Sequence, residues 1–327
     1  SDLESMNPYI GASFFQTLYL LITRLLKGCF LGQMYPDEIQ FLALVGLSIS
    51  CGLIGSLLSV RKMSMLANSL SHTILLGIIL TFLLKGGVNN PYFLTLDLKE
   101  MDLLLAAGLS AFLTAFLTHF CIHILRMQED ASIGLVFTAL FAIAITMVTL
   151  FTRSIHLGIE VVMGNIDLLD PQDVKLIWKV AFIDLFCTFV FFRAFKLSAF
   201  DPLFSASQGM KNGLVNYFLM LLASLTCISA FKSVGVLLVL SFLVTPFLWA
   251  KLFAKSFQSL LFFSIGFGIL FSFLGIALSR HLLSYFSLPL STGALVATLM
   301  GFSYFLFLVL KNHKLLFSKK TKKSLKI

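Results

Sequence analysis

The chain has 327 residues, of which 58% are hydrophobic and 12% charged, with a mean hydropathy of +0.97. A soluble domain carries about a quarter charged residues, and here the apolar residues fall in long runs, so composition excludes an ordinary soluble protein and points to an all-α, polytopic integral membrane protein. The net charge of +9 gathers largely in the tail 311–327, which reads as a cytoplasmic segment touching anionic lipid rather than nucleic acid.

In chain order, the first apolar stretch, 9–31, contains Gln16, Arg24 and Lys27. It reads either as a spanning helix or as an amphipathic helix in the membrane interface, and belongs to an N-terminal extension, 1–38. It has neither a basic leader nor a small-residue cleavage site of the signal-peptide kind. A spanning helix needs about 20 apolar residues. Such runs lie near 39–60, 66–84, 101–124, 131–151, 174–195, 213–230, 234–253 and 258–279, with a ninth near 285–310. The expectation is eight or nine transmembrane helices in a domain covering 39–310, followed by the basic tail 311–327.

Lysine and arginine bias sets the orientation. With Arg61 and Lys62 in the cytoplasm, alternation puts Arg126, Arg193, Lys196, Lys211, Lys251, Lys255 and the tail on the same side. The C-terminus is therefore expected in the cytoplasm. Nine acidic residues, Asp37, Glu38, Asp97, Glu100, Asp102, Glu160, Asp167, Asp170 and Asp173, fall on the opposite face, where they read as solvated loop ends or, collectively, as a negative rim that draws cations or a partner. The cytoplasmic loops are too short for a catalytic domain, and the sequence holds no GxxxxGKS/T phosphate loop, no HExxH and no CxxC. The chain is not expected to be an enzyme, and any ATP-driven step needs another chain. The five cysteines are scattered singly and read as small buried hydrophobes.

Asn68 and His72 are four residues apart, so a helix stacks them on one face. An amide oxygen and an imidazole nitrogen can share Zn²⁺, Mn²⁺ or Fe²⁺; the same pair can instead make hydrogen bonds between helices. His119 and His123 repeat the spacing, and two imidazoles so placed can chelate a metal; at a helix end close to Arg126 they read instead as interfacial and solvated. Asp184 lies deep in 174–195, near Lys179 and Thr188, and either lines a polar path or forms a buried pair. In 196–217, Asp201 and Pro202 read as a helix cap and first helical residue, while Gly209 and Gly213 permit a break or a close approach. A short cytoplasmic helix here, exposing Ser205, Ala206, Ser207 and Gly209, is either a docking element for another protein or a plain connector.

Five blocks carry a resemblance. SLLSVRKMSMLANSLSHTILLG (56–77), QEDASIGLVFTALFAIAI (128–145), VVMGNIDLLDPQDV (161–174), FDPLFSASQG (200–209) and SVGVLLVLSFLVTPFLWA (233–250) stand in order and at consistent spacing. From about residue 40 to about 310, the chain resembles the membrane permeases of manganese, zinc and iron ATP-binding-cassette (ABC) importers of the bacterial inner membrane. The resemblance implies two permease chains, identical or homologous, around one pathway, two cytoplasmic ATPase subunits, and an extracytoplasmic protein that delivers the metal. It implies that 200–213 is the coupling helix in the ATPase groove, with Asp201, Pro202, Ala206 and Gly209 as coupling residues. It also implies that Asn68 and His72 hold the metal on its path. No cofactor is permanently bound, the divalent ion being cargo. Three departures stand out: Asn68 replaces the family's Asp, Ala67 its Gly, and Leu76 its Pro. A heterodimer in which a sister permease supplies the missing carboxylate accounts for the first; the alternative is that this chain, in a homodimer or a heterodimer, binds metal through His72 alone or not at all. Two other transporter classes compete. An ion-coupled secondary transporter would need deep carboxylates or broken helices, and Asp184 is the one clear deep carboxylate. A siderophore or vitamin ABC permease would lack a dedicated metal ligand.

Overall fold

The computed structural model describes residues 9, 13–31, 35–61, 63, 73, 75–81, 83–84, 100–152, 166–169, 171–288 and 290–324. Among the described residues the regular elements are helical and none is a strand. In chain order they are α1 (Phe14–Leu31), α2 (Pro36–Val60), α3 (Glu100–His123), α4 (Glu129–Thr152), a 3₁₀ turn (Ile166–Leu168), α5 (Pro171–Val190), α6 (Phe192–Phe200), α7 (Pro202–Ser207), α8 (Asn212–Val234), α9 (Val236–Phe253), α10 (Phe257–Phe286) and α11 (Thr292–Ser324). Residues 73, 75–81 and 83–84 are helical as well. Five helices among the described residues are long and apolar enough to cross a bilayer, within α2 and α8–α11; shorter apolar helices occupy Gly108–Ile122 and Ala131–Met147. The expected span over 66–84 lies largely outside the described residues. The chain is a helical, multi-pass membrane protein.

α2 is buried on nearly every side, as an apolar helix at the centre of a bundle should be. It packs against α10, α5, α9 and α8. Small residues let the backbones close: a Cβ on Gly55 would collide with the carbonyl oxygen of Leu243 in α9, one on Gly52 would lie 3.1 Å from Ile265 in α10, and one on Gly268 would lie 2.9 Å from the Ser48 side chain. Helices in a bilayer gain little from excluding water from one another, so close backbone contact carries much of their packing. A smaller core joins Leu76, Cys121, Val136, Leu140 and Ala144, linking 75–81 to α3 and α4. Cys51, Cys121 and Cys227 are buried and free, and Cys187 is half-buried and free. Large apolar side chains such as Phe112, Phe186 and Phe305 point outward, as lipid-facing residues do.

Helix boundaries differ from expectation where a charged residue reads as the end of a span. α2 begins at Pro36 rather than 39 and takes in Asp37 and Glu38, both buried. α10 runs on to Phe286, through Arg280 and into the start of the expected ninth span. The two extensions have one cause: the Arg280 guanidinium donates to the Asp37 carboxylate. A charge inside a helix end is tolerable when its partner is built in. Asp37 and Glu38 are therefore not solvated loop ends.

The bundle has two chemically distinct ends. One gathers Arg61, α6, α7 and the start of α8, with Arg61 donating to the Asn216 amide oxygen and Phe200 packed edge-on against Phe257. The other carries the Asp37–Arg280 pair, and there Asp167 accepts from the Thr292 N–H at 3.3 Å. α1 meets this second end. The Phe14 ring touches His281 in an edge-to-face contact, and Arg24 donates to Glu38 at 2.9 Å.

Candidate functional site

The segment after α6 is built by local chemistry that the sequence announces. Asp201 caps α7 by accepting the Phe204 N–H at 2.9 Å, and Pro202 takes the first helical position. Its missing N–H costs nothing there, because the first helical N–H groups have no intrahelical acceptor. Gly209 closes the other end. Its φ of +78° lies in the left-handed region, its N–H donates to Ala206, and the Met210 N–H reaches back to Ser205. That paired return is the glycine-dependent stop of a Schellman motif. The expected helix of 200–213 thus shortens to Pro202–Ser207, and α8 begins at Asn212.

α7 is pinned by one side chain. Asn212 donates to the Pro202 carbonyl at 2.7 Å and accepts from the Ser205 hydroxyl at 2.8 Å. Ser205 is buried, contrary to its expected exposure, because it faces this clamp. Ala206, Ser207 and Gly209 are exposed as expected, and Leu203 and Phe204 stand out beside them, Leu203 at 85% exposure. The result is an apolar knob, tied by hydrogen bonds at both ends, at the end of the bundle where Arg61 caps α2. Burial lowers the Arg61 guanidinium to about 10, so it stays charged at neutral pH. Neither Asn212 nor the Arg61–Asn216 link was foreseen. Polarity near a span end was their only signal, and it does not identify a partner 155 residues away.

Asp184 is wholly buried in α5, where its carboxylate accepts the Thr226 hydroxyl of α8 at 2.8 Å. Of the two groups expected near it, Thr188 is buried one turn on; the hydrogen bond comes from the other helix instead. His119 lies beside Tyr217, ring centroids 6.1 Å apart, at the α7 end of the bundle. His123 ends α3. Asn68 and His72 lie outside the described residues. Next to them, Thr73 accepts a hydrogen bond from the Thr114 hydroxyl at 3.2 Å. Four residues on, Gly77 lies so close to the Ala106 carbonyl that a Cβ would collide with it. The helix that follows His72 is thereby pressed onto the middle of α3. Among the described residues no group of three or more His, Cys, Asp or Glu side chains could hold a metal.

Known proteins are similar to this chain in sequence and in architecture. A Chlamydia trachomatis protein named "Probable metal transport system membrane protein" is 37% identical over 308 residues, covering 94% of this chain and 95% of its own length. The manganese transport system membrane protein MntD of Bacillus subtilis is 34% identical over 211 residues, 61% of this chain and 68% of that protein. The solved PsaBC of Streptococcus pneumoniae, in complex with a Fab, superposes with a TM-score of 0.67 at 25% identity, covering 88% of this chain and 94% of that one. Residues 38–311 match the model of the ABC 3 transport family, so α2 through the membrane-crossing part of α11 is its shared core and the chain belongs to that family.

Proposed function

We propose that this chain is the transmembrane permease subunit of an ABC importer that carries a divalent transition metal, manganese, zinc or iron, into the cytoplasm. ATP is hydrolysed by separate subunits, and α7 transmits their movement to the bundle. An extracytoplasmic metal-binding protein delivers the ion, and a homologous second permease completes the pathway. One observation carries the reading: in a member of this family, a short helix fixed at both ends by Asp201 and Gly209 presents Leu203 and Phe204 to solvent beyond the bundle. The basic residues support placing that end in the cytoplasm, since Arg61, Lys196, Lys211 and Lys251 all lie toward it. Manganese and zinc transport by named relatives supports a divalent cargo.

In this reading His72 is the metal ligand and Asn68 its neutral companion, with the sister permease supplying the carboxylate. Imidazole binds first-row dications well, whereas an amide adds no charge to balance the ion. The test is uptake of radiolabelled manganese, zinc and iron by vesicles holding the assembled transporter. His72→Ala is expected to abolish ATP-dependent uptake while membrane insertion and co-purification of the ATPase stay at wild-type levels. Wild-type uptake by that variant would remove His72 from the path.

A further inference from the structure

We infer that α1 does not cross the membrane. It lies in the membrane interface along the bundle end that carries Asp37 and Arg280, with Phe15, Tyr19 and Ile22 seated in lipid. α1 has 18 residues, about 27 Å of helix. Its first residue, Phe14, already touches His281 at that end. Its last, Leu31, is four residues before Tyr35, which caps α2 at the same end. Four residues reach at most about 14 Å. A helix crossing the bilayer would leave one terminus about 27 Å away, beyond the reach of that connection. The middle agrees with the ends. Arg24 lies over the Tyr35 ring at 4.3 Å and donates to Glu38, and Tyr9 bonds the same Glu38 oxygen at 3.1 Å.

The surface of α1 divides into three strips. At about 100° per residue, the buried Thr17 and Leu21, with half-buried Phe14 and Arg24, make one strip, turned to the bundle. Phe15, Tyr19 and Ile22 make a second, exposed at 79%, 69% and 50%. Gln16 and Thr23 make a third, polar strip between the other two. Protein, hydrocarbon and water meet together only at the edge of a bilayer, and aromatic side chains favour that depth. The lipid strip carries no charge, which suits acyl chain and glycerol rather than a charged protein face. The family match begins at residue 38, so this strip lies outside the segment that the family model covers.

The test is photo-crosslinking of the full chain in nanodiscs of phosphatidylethanolamine and phosphatidylglycerol, with p-benzoylphenylalanine replacing Phe15, Tyr19 or Gln16 in turn. All three side chains are exposed, so folding should survive, and the size-exclusion profile checks it. Phospholipid adducts are expected on the peptides labelled at 15 and 19, several-fold above the yield at 16. Equal lipid labelling at all three positions would mean that α1 is immersed and would overturn the proposal. Adducts to a second copy of the chain, or no adduct at 15 and 19, would overturn it as well.

Discussion

Thr226 has one hydroxyl proton and two acceptors, the Asp184 carboxylate at 2.8 Å and the Leu222 carbonyl at 2.9 Å. An asparagine at 184 fits the same space and brings N–H donors of its own. It can donate to the Thr226 oxygen while the hydroxyl turns to Leu222. Asp184→Asn is therefore expected to melt within a degree or two of wild type in detergent and to keep metal uptake. Asp184→Ala removes the link between α5 and α8 and leaves a void among polar groups, a loss of about 1–3 kcal/mol. A thermal unfolding series of the three proteins checks this. If the asparagine variant folds normally but loses uptake, the negative charge itself is needed, and Asp184 belongs to the ion's path.

At the scale of helices, α2 meets its neighbours through glycine. A methyl group at Gly55 would drive into the Leu243 carbonyl, and neither backbone can yield alone. Gly55→Ala should part α2 from α9 and cost about 1–3 kcal/mol, read as a lower melting temperature and a poorer yield of monodisperse protein. Gly108→Ala is the control, because nothing lies within 4 Å of its added methyl; it should be neutral or slightly stabilising. Equal losses in both would mean that helix propensity, not close approach, governs these positions. Elements with local causes were legible in the sequence. The Asp201–Pro202 start of α7 is one, since both residues act on backbone within three positions. The outer ends of α2 and α10 were not, because each depends on a partner 243 residues away, and a lone charge looks like the end of a span. α1 was ambiguous because a spanning helix and an interfacial one can share a composition; an interfacial helix is inferred from the short connection to α2 and the Glu38 contacts, which only the fold supplies. At the candidate metal site, the spacing of Asn68 and His72 gives a shared face but no partner, and the partners depend on how 63–84 packs.

At the scale of the whole molecule, the proposed transport needs movement at α7 to reach helices that cross the membrane. The route runs through stiff joints. Asn212 fastens α7 to the first residue of α8, Asn216 ties α8 to Arg61 at the end of α2, and α2 sits at the centre of the bundle. Gly209 fixes the angle at which α7 leaves α8. At its φ of +78° a β-branched side chain is strained by about 1–2 kcal/mol, although the space around it is open. Gly209→Val should therefore leave the membrane bundle intact and unwind or tilt only the knob. Expected outcomes are an unchanged melting temperature, a several-fold drop in ATPase subunits that co-purify with the permease, and a parallel drop in metal uptake. Wild-type recovery of the ATPase with normal uptake would show that α7 is a connector and that the drive enters elsewhere. Gly209→Ala, smaller but held at the same positive φ, should give a milder form of the same defect, because the strain lies in the backbone and not in contact with a neighbour.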